Sequence, residues 1–218
     1  MKLKQYIKIL IVTSCLWCVF SLHANSAAEG LSQLFASIQT MQAHFTQTIF
    51  DNHGKAVQRS EGRMAFQRSG RFRWDVQRPI PQLIIVNGER LWIYDADLQQ
   101  VVIRSLRQSA GEVPALLLSS SNTSLQADFR VREQKPKSTG GRANWRWFVL
   151  TPKEHDNMFE QIHVGFQQGE VRAMRLLDHL GHATFIEFQR IQLNTALSPT
   201  LFSFTPKKGV DVIDETRR

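Results

Sequence analysis

With 218 residues, of which 42% are apolar, the chain is too apolar for a disordered polyelectrolyte and long enough to bury a sizeable core. Its two cysteines, Cys15 and Cys18, sit close together near the N-terminus, which excludes a disulfide scaffold or a thiolate metal site for the rest of the chain. A net charge of +8 points to an anionic partner, whether nucleic acid, lipid headgroup or acidic protein surface.

The first residues choose among these. MKLKQYIK is a basic lead, and ILIVTSCLWCVFSL is an apolar stretch too short and wrongly flanked to span a membrane, so together they read as an export signal. HANSAAE supplies small residues for cleavage, with Ala24-Asn25-Ser26 or Ser26-Ala27-Ala28 as the last residues removed, leaving residues 1–26 as the signal and 27–218 as one folded domain. Val12-Thr13-Ser14-Cys15 also fits a loose lipobox, but processing there would strand the apolar Leu16, Trp17, Val19 and Phe20 on the product. Loss of Lys2, Lys4 and Lys8 lowers the charge from +8 to +5. Export argues against nucleic acid and leaves lipid headgroups and acidic proteins.

In chain order, Leu31, Leu34, Phe35, Ile38 and Met41 recur at three- and four-residue steps and predict an amphipathic helix over 29–41. Period-two segments then follow one another: 45–50, a turn at Asp51-Asn52-His53-Gly54, 58–67 and 71–77. LIIV and ERLWIYD flank Asn87-Gly88, the preferred composition of a type I′ hairpin, which would set Ile84 opposite Leu91 and Leu83 opposite Trp92. LQQVVIR, WRWFVLT, FEQIHVGF, VRAMRLLD, ATFIEFQRIQLN and LFSFT continue the pattern. The total of about ten or eleven short strands in meander order is an antiparallel sheet large enough to curl. Between strands, 109–121 with Pro114 and Leu116, Leu117 and Leu118 predicts a short apolar helix, and 134–144 an exposed polar loop. Asn122-Thr123-Ser124 has the form of a glycosylation sequon, a pattern common by chance.

A one-sided sheet alternates apolar and polar residues. Here Leu83, Ile84, Ile85 and Val86 are all apolar, as are Leu91, Trp92, Ile93 and Tyr94, so this region must be covered on both faces. Two short helices laid over a half-closed barrel would serve. Either they complete a filled core, or they roof a cavity for an apolar ligand, and composition does not choose.

Catalytic patterns are missing. There is no G-x-S-x-G, no H-E-x-x-H and no phosphate loop, and His179 and His182 straddle a tight turn with no third ligand nearby. Six arginines, Arg59, Arg63, Arg68, Arg71, Arg73 and Arg78, crowd a segment that also holds Phe66, Phe72 and Trp74, and most of them read as a solvated face. Arg68 differs because it lies in the connection Gln67-Arg68-Ser69-Gly70, at a rim, where its five donors can hold the carbonyls of a nearby helix.

Taken in order, FASIQTMQAHFTQT, GKAVQRSEGRMAFQRSGRFRWDV, LIIVNGERLWIYDADLQQV and FSFTPKKGVDV resemble the periplasmic outer-membrane lipoprotein carrier family, LolA, over essentially the whole mature chain. The resemblance implies an unclosed half β-barrel with a helical lid over an apolar cavity, a periplasmic monomer without catalytic activity or cofactor, and acylated lipoproteins as cargo. It implies two further partners, an inner-membrane ATP-driven (ABC-type) release complex and an outer-membrane lipoprotein receptor. The family's functional arginine, which keeps the empty cavity shut, falls on Arg68, and its functional phenylalanine on Phe72. Candidate cavity residues are Phe72, Trp74, Ile85, Trp92 and Tyr94, with Leu116, Leu117 and Leu118 as lid. Ser69 departs from the proline that many members carry after the arginine, which loosens that turn. The alternative on the same fold is a carrier of a free lipid or glycolipid.

Overall fold

The computed structural model describes residues 26–68, 70–106, 117–118, 122–134, 144–154 and 157–217. Twelve strands are found among them: β1 (Thr40–Phe50), β2 (Ala56–Gln67), β3 (Arg71–Arg78), β4 (Gln82–Asn87), β5 (Arg90–Asp95), β6 (Gln100–Ser105), β7 (Phe129–Gln134), β8 (Arg146–Pro152), β9 (Phe159–Gln167), β10 (Glu170–Asp178), β11 (Ala183–Leu193) and β12 (Asp211–Asp214). They form one sheet in the order β12-β6-β5-β4-β3-β2-β1-β11-β10-β9-β8-β7, unclosed because β12 and β7 end it. All neighbours are antiparallel except β12, which pairs in parallel with β6. Two α-helices, α1 (Ala27–Ala36) and α2 (Asn122–Asp128), lie against one another and against β7.

Helix α1 starts at a capping box: Ser26 Oγ accepts the Glu29 N–H at 3.2 Å, and the Glu29 carboxylate accepts the Ser26 N–H at 2.9 Å. It ends at Ala36, short of the predicted 41. Asn194, far along the chain, decides this: its Oδ1 accepts the Gln39 N–H at 2.8 Å and its Nδ2 donates to the Ser37 carbonyl at 2.9 Å, turning the backbone into β1. Met41 stays buried, but as the first inward residue of a strand. A step of three residues fits either outcome.

The β4–β5 hairpin corrects the predicted register. Asn87 pairs with Arg90 and Ile85 with Trp92, so the loop residues are Gly88 and Glu89 rather than Asn87 and Gly88. Gly88 has φ +65° and Glu89 is not left-handed, the composition of a II′ turn, which asks for glycine at the first loop position alone. The loop moves by one residue and each partner therefore by two, Ile84 facing Ile93 and Leu83 facing Tyr94, so the faces are preserved. The doubly left-handed loop occurs instead at Gln168-Gly169, with φ +52° and +83°, between β9 and β10.

Other expectations move as well. LFSFT is not a strand: Pro199–Phe202 is a 3₁₀ turn opened by its proline, and the chain after it is irregular until β12. Strands β7 and β12 are short and went unread: β7 offers only Phe129 and Val131 as alternating, half-buried apolar residues, and in β12 both Val212 and Ile213 are exposed. Of the helix expected over 109–121, only Leu117-Leu118, in a 3₁₀ conformation, fall among the described residues, and α2 begins at Asn122, over the sequon. Leu116, the signal segment, Ser69 and most of the polar loop over 134–144 lie outside the described residues.

One face of the sheet, here the inner face, holds the main core. Phe45 stacks on Trp74 with ring centroids 3.7 Å apart, and Phe72 lies 6.2 Å from Trp74. Gly62 makes the stack possible, since a Cβ there would meet the Asp75 carbonyl oxygen at 2.0 Å and Phe45 Cζ at 2.9 Å. Each fully buried large side chain contributes roughly 1.5–3 kcal/mol. The outer face of β3–β6 is covered by the C-terminal segment, where Phe202 is fully buried, Phe204 packs 5.1 Å from Tyr94, and the Leu201 carbonyl accepts from Arg73 at 3.3 Å.

Candidate functional site

The β2–β3 connection fixes Arg68. Gln67 pairs with Arg71, leaving a three-residue loop that ends at Gly70 with φ +82°. The Arg68 N–H donates to the Gln39 carbonyl at 2.8 Å, so the loop is tied to the start of β1. From there the side chain turns to the C-terminal end of α1: Nη2 donates to the Phe35 carbonyl at 2.5 Å and Nε to the Ile38 carbonyl at 2.6 Å.

Helix ends leave carbonyls without intrahelical partners and carry partial negative charge, so a guanidinium is well matched to this position. The same group lies 5.8 Å from the Phe35 ring centroid and 6.0 Å from that of Phe66. Burial lowers the Arg68 pKa from its ordinary value, yet a guanidinium remains protonated at neutral pH. A half-buried cation therefore ties the end of α1 to the rim of the sheet by directional bonds.

Beneath α1 lies the inner face. Leu31 and Phe35 on α1, Leu125 on α2 and Leu118 are buried there against Phe148, Phe166 and Val164, and the Phe35 and Phe166 rings meet edge-on at 5.7 Å. Phe72 and Trp74, 0% and 5% exposed, face the same interior from β3. Leu117 packs against it, half-buried.

Ile85, Trp92 and Tyr94 are a correction. Phe72 and Trp74 pair with Val86 and Ile84, so those residues share the inner face, whereas Ile85 pairs with Arg73, and Trp92 and Tyr94 pair with Ile85 and Leu83. All three side chains therefore point outward, beneath or beside the C-terminal segment. An apolar run on two faces shows that both are covered but not by what, and nothing local marks the segment around Phe202 as the outer cover.

Inner residues that the sequence reading did not select include Phe45, Met41, Met64, Met174 and Phe188. Strict alternation of 41, 43 and 45 was the available signal for the first two, masked by the helical spacing that runs into it. Three of these inner residues are methionines, whose unbranched thioethers fill irregular space within the core. The histidine pair over the β10–β11 turn is structural: His182 Nδ1 lies 2.9 Å from the Asp178 carboxylate and His179 Nε2 lies 3.0 Å from the Asn157 carbonyl. Among the described residues, no cluster of three or more His, Cys, Asp or Glu is placed to hold a metal ion.

Comparison with known proteins adds the following. The family described as "Outer membrane lipoprotein carrier protein LolA" matches residues 36–205. An "Outer-membrane lipoprotein carrier protein" of Dechloromonas aromatica is 38% identical over 208 residues, covering 95% of this chain and 97% of its own. One of the same description from Nitrosospira multiformis is 38% identical over 206 residues, covering 92% and 97%. A solved structure of an uncharacterized conserved protein from Thermus thermophilus aligns with a TM-score of 0.53 at 11% identity, covering 85% of this chain and 99% of that one, a likeness of fold alone.

Proposed function

The chain belongs to the outer-membrane lipoprotein carrier family, LolA, and from that premise we propose that it shields the acyl chains of lipoproteins and carries them through the periplasm. The observation that carries this reading is the pairing of an apolar inner face with a helix held over it by one arginine. Acyl chains need such cover, since each methylene exposed to water costs about 0.8 kcal/mol and several chains together cost tens. Here Phe72, Trp74, Phe45 and the inner methionines form the lining, and α1 with Leu117 and Leu118 forms the roof.

Arg68 is the latch. Its bonds to Phe35 and Ile38 stabilise the closed, empty form. Loading breaks them, so part of the cargo's binding energy is offset and release becomes possible without a nucleotide. On this reading residues 1–26 are a cleaved export signal whose removal takes the Ser26 cap from α1, cargo arrives from an ATP-driven inner-membrane complex, and an outer-membrane lipoprotein of similar fold receives it by binding more tightly. The protein acts as a monomer and performs no catalysis. Its positive surplus favours docking on acidic surfaces of those partners.

The test is native mass spectrometry of the protein recovered from periplasm. An acylated polypeptide bound at one-to-one stoichiometry is the expected result. A free lipid or glycolipid in its place would transfer the reading to another carrier on this fold, and a hydrolysed product would point to an enzyme.

A further inference from the structure

On the outer face, away from the roofed interior, a groove of about 370 Å³ lies across four adjacent strands, β3, β2, β1 and β11. Its lining includes His44, Glu61, Arg63, Arg78 and Arg190. We propose that this groove is a binding site for a phosphate group, held by Arg63, Arg190 and Arg78 with His44 between them.

Two irregularities of the sheet build it. Between β2 and β3, Glu61 pairs with Arg78 but Gly62 with Val76, so Gln77 is an extra residue. Between β1 and β11, Gln42 pairs with Gln192 but His44 with Gln189, so Arg190 and Ile191 bulge opposite Ala43. Bulges re-aim side chains, and these two, on opposite flanks of the β1–β2 pair, border the same groove. Arg190 reaches its place with φ +51°, a conformation that costs energy in a residue with a Cβ. A basic face that only solubilises a sheet needs neither bulge nor a left-handed arginine.

Charge within the groove is unbalanced. Glu61 is bonded to Arg78, and Asp75, opposite Arg63, is held by Arg73 at 2.9 Å. Glu187, on β11 opposite Thr46, lies one row further along. Among the described residues, neither Arg63 nor Arg190 has an ion-pair partner. Burial, then Arg190, then Arg63, lower the pKa of His44, so the empty site keeps it neutral and an anion would draw a proton onto it. Planar guanidinium forks match phosphate oxygens two at a time, and several forks around one bowl favour a multi-oxygen dianion over a lone carboxylate. The phosphate can be free or carried on a lipid headgroup.

The experiment follows the His44 ring by NMR in the mature protein at low ionic strength while pyrophosphate or inorganic phosphate is added. A saturable rise in the His44 pKa is expected, with binding weakened about tenfold or more in the Arg63→Gln/Arg190→Gln double variant and unchanged in Arg59→Gln, which removes a charge from the same strand outside the groove. Sedimentation with phosphatidylcholine vesicles, with and without phosphatidic acid, separates the sources. Retention lost in the double variant assigns a headgroup, and pyrophosphate binding without retention assigns a free phosphate. Equal binding by the parent protein, the double variant and Arg59→Gln, or a His44 response that chloride reproduces, overturns the proposal.

Discussion

Arg68 and Phe35 meet where the sheet's rim touches the end of α1: the guanidinium donates to the Phe35 carbonyl at 2.5 Å while lying 5.8 Å from the ring of the same residue. One side chain thus holds both the backbone and the apolar anchor of the helix. Replacing it with leucine removes the bonds of the closed form and leaves the strands intact. Arg68→Leu is expected to keep its far-ultraviolet spectrum and to release acylated cargo about 10- to 100-fold more slowly, the equivalent of one or two charge-assisted hydrogen bonds. Arg68→Lys, which cannot span both carbonyls, should fall between. Release at the parent rate from a folded Arg68→Leu protein would remove the latch from the mechanism.

The two faces of the β3–β5 region separate stability from binding. Ile85 and Phe72 are both 0% exposed, yet the first lies beneath the C-terminal segment and the second in the roofed interior. Ile85→Ala and Phe72→Ala should each lower unfolding free energy by about 2–4 kcal/mol in urea titrations. Only Phe72→Ala should alter affinity for an acylated peptide. An equal change in both would mean that cargo reaches the outer face.

Gly62 sets the depth of the Phe45–Trp74 stack. With 2.0 Å between a Cβ and the Asp75 carbonyl oxygen, Gly62→Ala must displace backbone rather than the tip of a side chain. A loss of about 3 kcal/mol is expected, visible as a lowered melting temperature and a changed near-ultraviolet tryptophan signal.

His163 makes stability depend on pH. It faces Val149 on β8 and lies near Arg132 on β7 and Arg175 on β10, and burial followed by the Arg175 and Arg132 charges lowers its pKa to about 4. The unfolded chain takes up the proton near 6.5, the folded one only near 4, so stability is complete above 6.5 and falls as pH drops through that window. The decline should reach at most roughly 3 kcal/mol by pH 4, and His163→Gln should flatten it. Identical pH profiles for the two proteins in urea titrations would assign the acid sensitivity elsewhere.

Much of this was legible in the residues and some was not. Alternation over 71–77 was enough to place Phe72 and Trp74 on one face, and the three-residue connection was enough to put Arg68 at a rim. By contrast, the end of α1 depends on Asn194, at the far end of β11, and the register of the β4–β5 hairpin depends on whether Asn87 or Glu89 occupies the loop. Both choices are made by partners distant in sequence or nearly equal in local energy.

By itself, then, the sequence determined a curled antiparallel sheet, two covered faces near Leu83–Tyr94 and a cation at the rim, because periods of two, turn glycines and unbroken apolar runs are local properties. Only the tertiary structure decided which cover went where. Residues opposite one another across strands share a face, and that pairing sends Ile85, Trp92 and Tyr94 outward to the C-terminal segment while Phe72 and Trp74 turn inward beneath α1. It is also pairing, through two bulges a few strands apart, that brings Arg63, Arg78 and Arg190 around His44 from three different strands.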